Sequence, residues 1–239
     1  MAIDFVGNGD YLDDSGGGSF LNGLTDLSIS VWVNSDLTNT DRGFLYAGAP
    51  SGNDRPFSLR YDAAGATGGG TNLIKFGCGS AAVQCELESS SNAQTTSWQH
   101  LVVVRQNGVA PKLYINGVLD TPTATTATTI TLADCSSFRV GMAAKDTAGT
   151  SWNGRVADAR IYNRLLSEAE ALSIYSCRGM DMILSGLLFR YPLNDIPPGV
   201  VATSVKDVGT NVRTATSSGS PTGFDFPVPM KRQSASVIL

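Results

Sequence analysis

Leu27, Ile29, Val31 and Val33 recur at every second position, which turns four apolar side chains to one face of a strand. Phe57, Leu59 and Tyr61 repeat that alternation with Ser58 and Arg60 between them. Leu73-Ile74-Lys75-Phe76 and Leu101-Val102-Val103-Val104 are nearly continuous apolar runs, which predict strands covered on both faces. Lys112-Leu113-Tyr114-Ile115 leads into Asn116-Gly117 and then Val118-Leu119. Asn-Gly supplies the two positive φ angles of a type I′ turn, so a tight hairpin is expected there. Phe138 to Met142 and Arg155 to Tyr162 extend the series. Clusters of Gly, Asn, Asp, Ser and Thr separate these segments at spacings of about a dozen residues, the rhythm of an all-β antiparallel β-sandwich or jelly roll.

One helix interrupts the pattern. Ser167 and Glu170 form a capping box, and Leu166 and Ala171 are placed as a hydrophobic staple. Leu172 and Tyr175 then share a face that can pack on a sheet. The helix is expected to end near Cys177, dividing a domain at 1–177 from a C-terminal segment at 178–239. In that segment Gly186 to Leu193 reads as one more strand, with Pro192 marking an edge. Ile196-Pro197-Pro198-Gly199 reads as a stiff turn. Thr214 to Gly223 has the composition of a flexible linker, and Phe224 to Met230 is an extended stretch set by its prolines.

Composition narrows what such a chain can do. Its 239 residues are 42% hydrophobic and 16% charged, and the net charge of −4 argues against general nucleic-acid binding. Residues 178–239 nevertheless hold six basic against four acidic groups, a hint of an acidic neighbour. The longest apolar runs fall far short of the ~20 residues that span a bilayer. Met1-Ala2-Ile3-Asp4 lacks the basic stretch and apolar core of a secretory signal, so synthesis in a cytoplasm is the expectation. Cys78, Cys85, Cys135 and Cys177 contain no C-x-x-C pair, which argues against zinc. Cys78 and Cys85 flank a short connection and are placed either to close a hairpin disulfide in an oxidising setting or to remain thiols. His100 is the only histidine, which excludes any mechanism needing two imidazoles.

Ile3-Asp4-Phe5 with Gly9-Asp10-Tyr11, followed by Leu27 to Val33, resembles the opening of laminin G-like modules of the concanavalin A-like superfamily. Trp98 to Arg105, Leu113 to Gly117 and Gly154 to Ser167 match that family's later motifs in order, so the resemblance covers residues 3–176. It implies two facing antiparallel sheets in a concanavalin A-like jelly roll, with one short helix and a C-terminal extended segment. It also implies a framework role for His100 at the Trp-x-His position and a core role for Trp32. Some laminin G-like modules bind calcium, for which Asp10, Asp13 and Asp14 could offer oxygens. The EF-hand spacing is missing, however, so a solvated acidic loop is the default and no metal is expected.

The superfamily includes glycoside hydrolases, which need two carboxylates about 5–10 Å apart. No E-x-D-x-E triplet occurs. Glu86 and Glu88 come nearest and read as a solvated polar edge, whereas Glu168 and Glu170 serve the helix start. No G-x-S-x-G, Walker A or dinucleotide fingerprint is present, and Gly68-Gly69-Gly70 lacks the lysine of a phosphate loop. No catalytic residue and no cofactor are therefore expected. Asp158 and Arg160, two apart on one strand, are set to pair with each other or with a neighbouring strand. Trp152, expected to be exposed, is the candidate ligand-contacting side chain.

In many laminin G-like proteins a segment like Gly186 to Asp195 lies upstream of the core, whereas here it lies downstream. Such a permuted strand can complete its own sheet, pair in a neighbouring subunit, or lie on another protein. Together with the basic and apolar tail, this order resembles modules of tailed-bacteriophage virions. That resemblance implies a capsid decoration or cement protein on the capsid exterior, without enzyme activity, gripping a major capsid or other virion protein. Arg190, Lys206, Phe224, Phe226, Met230, Lys231 and Arg232 are the expected anchors, and a homo-oligomer is expected. Neither nucleic acid nor membrane is expected as a partner. The alternative is a carbohydrate-binding module of a virion fibre or bacterial adhesion protein, holding a glycan.

Overall fold

The structure is a computed structural model that describes residues 1–7, 9–14, 16–48, 57–65, 69–79, 84–142, 148–209 and 213–226. The alternating segments form β1 (Ala2–Val6), β2 (Tyr11–Asp14), β3 (Leu27–Ser35), β4 (Gly43–Gly48), β5 (Phe57–Ala64), β6 (Thr71–Gly79) and β7 (Gln84–Glu88). They continue as β8 (Gln99–Arg105), β9 (Lys112–Ile115), β10 (Val118–Leu119), β11 (Ala124–Thr126), β12 (Ser137–Val140) and β13 (Asn153–Tyr162). Helix α1 (Glu168–Cys177) follows, and then β14 (Leu187–Tyr191), β15 (Ser204–Lys206), β16 (Thr214–Ser218) and β17 (Thr222–Phe224).

Two antiparallel sheets face each other as a sandwich. One runs β10-β9-β8-β3-β13-β1-β17, with β14 also paired to β13; the other runs β11-β7-β6-β5-β4-β12-β2-β16-β15. Their inner faces share one core, which holds Leu27, Ile29, Val31 and Val33 of β3 opposite Leu12, Leu45, Leu59, Phe76 and Val140. The period-two pattern of β3 and β5 is therefore the pattern of the sandwich interior.

The outer face of the eight-stranded sheet is covered as well. Val102 and Val104 of β8 pack there with Tyr162, Ala171 and Ile174, which explains why the run Leu101 to Val104 is apolar on both sides. The Ser167–Glu170 capping box forms as expected. Ala171 and Ile174 are the helix's buried residues; of the expected pair, Tyr175 packs on the sheet, stacked on Trp32 at 5.6 Å, whereas Leu172 is exposed. Asn116 and Gly117 both take positive φ, at 54° and 79°, and a Cβ at Gly117 would press within 2.9 Å of Leu172 on α1.

β14 lies in the chain's own sheet. β1 pairs with residues 153–156 of β13 and β14 with residues 159–162, so an early and a late strand occupy the same side of β13 end to end. At their junction β13 bulges and Asp158 takes φ 46°. Thr214 to Gly223, expected as a linker, instead contributes β16, hydrogen-bonded to β2, and β17, hydrogen-bonded to β1. Composition misled here because Thr and Ser suit a half-exposed strand: Ala215 turns inward while Thr214 and Thr216 face water.

Candidate functional site

Alternation on the nine-stranded sheet sends a polar set outward. Cross-strand register aligns Ser204, Thr216, Asp13, Arg139, Tyr46, Ser58, Gly77, Glu86 and Thr126, one residue from each strand. Directly opposed residues share a face, so these side chains form a single row across the sheet.

The row is held by internal ion pairs. Arg139 Nη2 lies 3.4 Å from Asp13 Oδ2, and its guanidinium sits 4.4 Å from the centroid of the Tyr11 ring. Lys75 Nζ lies 3.5 Å from Glu86 and 3.0 Å from Glu88, and Arg60 reaches Asp62 at 2.9 Å. Glu86 and Glu88 thus share a face, as their spacing suggests, but not as a solvated edge. Glu88 is fully buried because β11 pairs outside β7 and moves it away from the sheet margin. These two carboxylates share one ammonium and are held by it in the sheet.

At the β2–β12–β16 end the row opens into a depression of about 340 Å³ lined by Asp13, Asp14, Gly17, Ser136, Ser137 and Thr216. Asp13 is its exposed carboxylate, with 38% of the side chain open to water. Its neighbour Asp14 turns to the opposite side of β2. There it accepts hydrogen bonds from Tyr191 Oη at 2.7 Å, Arg213 Nε at 2.9 Å and the Gly16 amide at 2.8 Å. Burial, together with the Asp14 carboxylate, pushes the Tyr191 phenol up, so it remains a donor. Ser136 and Ser137 donate to the Gly48 carbonyl at 2.9 and 3.2 Å. Gly17 takes φ 64° against the Ser136 carbonyl, where a Cβ would collide, so the glycine shapes this wall. A second hollow of about 240 Å³ between β8, β9 and the start of α1 has a mixed lining, with Val104, Val109 and Leu165 beside Gln106, Lys112 and Glu168.

The expected site residues fall elsewhere. Trp152 is not exposed: it is 0% accessible, set edge-on to Phe44 and Tyr61 at 5.1 Å from each, with Nε1 donating to the Arg155 carbonyl. Its bulk is spent on the sandwich core. Arg190 Nε lies 2.7 Å from Asp158 Oδ1, and its Nη2 donates to the Gly179 carbonyl. Arg160 bridges Asp158 and Asp181, so the predicted Asp158–Arg160 pair is part of a buried network. Phe224 lies under the Arg155 guanidinium. Phe226, 9% exposed, is wedged edge-on between Trp32 at 5.5 Å and Trp98 at 4.5 Å. Lys206 is exposed on the edge strand β15. Met230, Lys231 and Arg232 lie outside the described residues.

Asp10, Asp13 and Asp14 do not converge on a cation. Asp10 accepts from the amides of Val6 and Ser220 and ties two loops together. Among the described residues, no group of three or more His, Cys, Asp or Glu side chains is arranged to hold a metal ion. His100 Nε2 lies 2.9 Å from Ser30 Oγ, and burial pushes its pKa down to about 3, so it is a neutral framework group. Cys78 and Cys85 face each other across β6 and β7 as free, buried thiols. The hydrogen bond with Cys85 and burial push the Cys78 thiol up. Sequence reasoning missed Tyr11, Ser137, Arg139 and Thr216. The available signal was an arginine at an outward strand position; its partner depends on register between segments far apart in the chain.

The family model for the concanavalin A-like lectin/glucanases superfamily matches residues 6–171. No curated protein matches the sequence. Among solved structures, a candidate carbohydrate binding protein from Bacteroides ovatus ATCC 8483 superposes with a TM-score of 0.68 at 17% identity. That match covers 96% of this chain and 61% of the other, so the chain spans about three fifths of that relative's length. The CBM40 of the Ruminococcus gnavus IT-sialidase, bound to alpha2,3 sialyllactose, gives 0.57 at 15% identity, covering 73% and 96% of the two chains. The native heptameric SAP-like pentraxin from Limulus polyphemus gives 0.53 at 15% identity, covering 75% and 83%.

Proposed function

The chain belongs to the concanavalin A-like lectin/glucanases superfamily, and from that premise we propose that it is a non-catalytic carbohydrate-binding module. Its ligand occupies the depression over Asp13, Ser137 and Thr216. The observation that carries this reading is the Asp13 carboxylate, exposed in a hydroxyl-lined hollow and fixed from behind by Arg139.

A sugar presents hydroxyls that donate and accept along a ring edge. A fixed carboxylate accepts from two neighbouring hydroxyls without reorganising, and a hydrogen bond to a charged group is worth about 1.5–3 kcal/mol. Thr216 supplies a hydroxyl donor and acceptor around it, and Ser136 and Ser137, whose protons go to the Gly48 carbonyl, offer acceptor lone pairs. The half-buried Tyr11 ring, stacked on Arg139, adds an apolar edge beside the carboxylate. The sandwich shared with the Bacteroides candidate carbohydrate binding protein supports a carbohydrate as the ligand.

The carboxylates support binding without turnover. Asp14 is sealed and committed to Tyr191 and Arg213, and Glu86 and Glu88 share Lys75, so neither pair offers an acid and a base to an open cleft. The capsid-decoration reading rests on residues 178–239 gripping another protein. Arg190, Phe224 and Phe226 grip this chain's own sheet, which favours the sugar reading.

Titration calorimetry against a broad set of oligosaccharides tests the proposal. Saturable binding is expected, weakened at least about tenfold in Asp13→Ala, the loss of one charged hydrogen bond. Silence across the set from correctly folded protein would overturn it.

A further inference from the structure

The depression also bears on ligand charge, an inference that rests on the sugar-binding reading. Among the described residues, three cations on this face are tied back into the protein, Arg139 to Asp13, Lys75 to Glu86 and Glu88, and Arg60 to Asp62; Arg213, on the inner side of β2, is held by Asp14, and Lys206 faces outward on β15, two strands from Asp13. Arg139 is further engaged by the Tyr11 ring, and Arg213 lies 4.6 Å over the Phe20 ring. In the two pairs at the depression the cation is mostly buried, with side-chain exposures of 7% for Arg139 and 13% for Arg213. Asp13 is the member turned to water. Lys206 is exposed on β15 but does not line the hollow.

We infer that the ligand is an uncharged, hydroxyl-rich saccharide, and that sialylated and uronate sugars are excluded. A sugar carboxylate entering the hollow would meet Asp13 as a like charge. Gaining Arg139 would require breaking the Asp13–Arg139 pair and leaving Asp13 uncompensated. A neutral ring needs neither step: its hydroxyls donate to Asp13 while the ion pair stays closed. The net charge of −4 acts in the same direction at long range.

Matched pairs of ligands isolate the charge: 3′-sialyllactose against its methyl ester, and trigalacturonate against its methyl ester, within a wider array of neutral and anionic oligosaccharides. Neutral members are expected to bind at least about tenfold tighter than their charged counterparts at low salt, with the gap narrowing as salt screens the repulsion. Asp13→Asn should also narrow the gap, because it removes the repelling charge while keeping a hydrogen-bonding amide. Equal or tighter binding of the anionic members would overturn the inference and leave the carbohydrate reading standing. Binding of no member by folded protein would overturn the reading and the inference together.

Discussion

Asp13 and Arg139 stand directly opposite each other on β2 and β12, 126 residues apart in the chain, and the carboxylate is the partner left facing water. That asymmetry makes Asp13 the most informative position on the polar face. Because its side chain is 38% exposed and its pair is near the surface, Asp13→Ala should change stability by no more than about 1 kcal/mol. Ligand affinity should fall at least about tenfold. Denaturant melts and calorimetry on the same preparations separate the two effects, and a large loss of stability would show that the pair is structural.

Trp152→Ala should behave in the opposite way. The indole is enclosed by Phe44 and Tyr61, so truncation leaves a large cavity and costs about 3–5 kcal/mol. At temperatures where the variant remains folded, sugar affinity should match that of the unaltered protein. A selective loss of binding would return Trp152 to the ligand site.

Phe226 closes the aromatic group on the outer face of the eight-stranded sheet. Phe226→Ala should destabilise the fold by roughly 2–4 kcal/mol and shift Trp32 and Trp98 fluorescence to the red as water reaches them. Unchanged emission would mean that the wedge does not persist in solution.

His100 gives the fold a pH dependence of known sign. Burial holds its folded pKa at about 3, below the value near 6.5 of the unfolded chain. The unfolded state therefore takes up the proton first as the solution is acidified. The contribution of neutral His100 is whole above about pH 6.5 and is lost as pH falls from there towards about 3, at up to ~1.4 kcal/mol per pH unit. Urea midpoints should fall across that window and fall less steeply in His100→Gln. Protonation of the ring near pH 6 by NMR would contradict the burial.

The four thiols should divide by accessibility. Cys177 is exposed, whereas Cys78, Cys85 and Cys135 are buried, so the reduced native protein should react rapidly with one equivalent of a thiol reagent and with four after denaturation. Fast labelling at Cys78 or Cys85 would show that the β6–β7 hairpin opens.

What the sequence determined by itself was local. Alternation of apolar and polar residues placed β3 and β5, because side-chain direction in a strand depends only on parity along the chain, and an unbroken apolar run placed β8. Asn116-Gly117 and the Ser167–Glu170 box were equally readable, since each is settled within a few residues. The exposure of Leu172, the burial of Trp152 and the conversion of Thr214 to Gly223 into β16 and β17 were decided by tertiary structure. Each depends on what lies opposite, and composition carries no record of that. The same holds for the polar row. Parity puts Asp13 and Arg139 on outward faces, but only the folded sheet aligns nine strands so that one residue from each falls in a single row, because register between distant segments is a property of the whole sandwich.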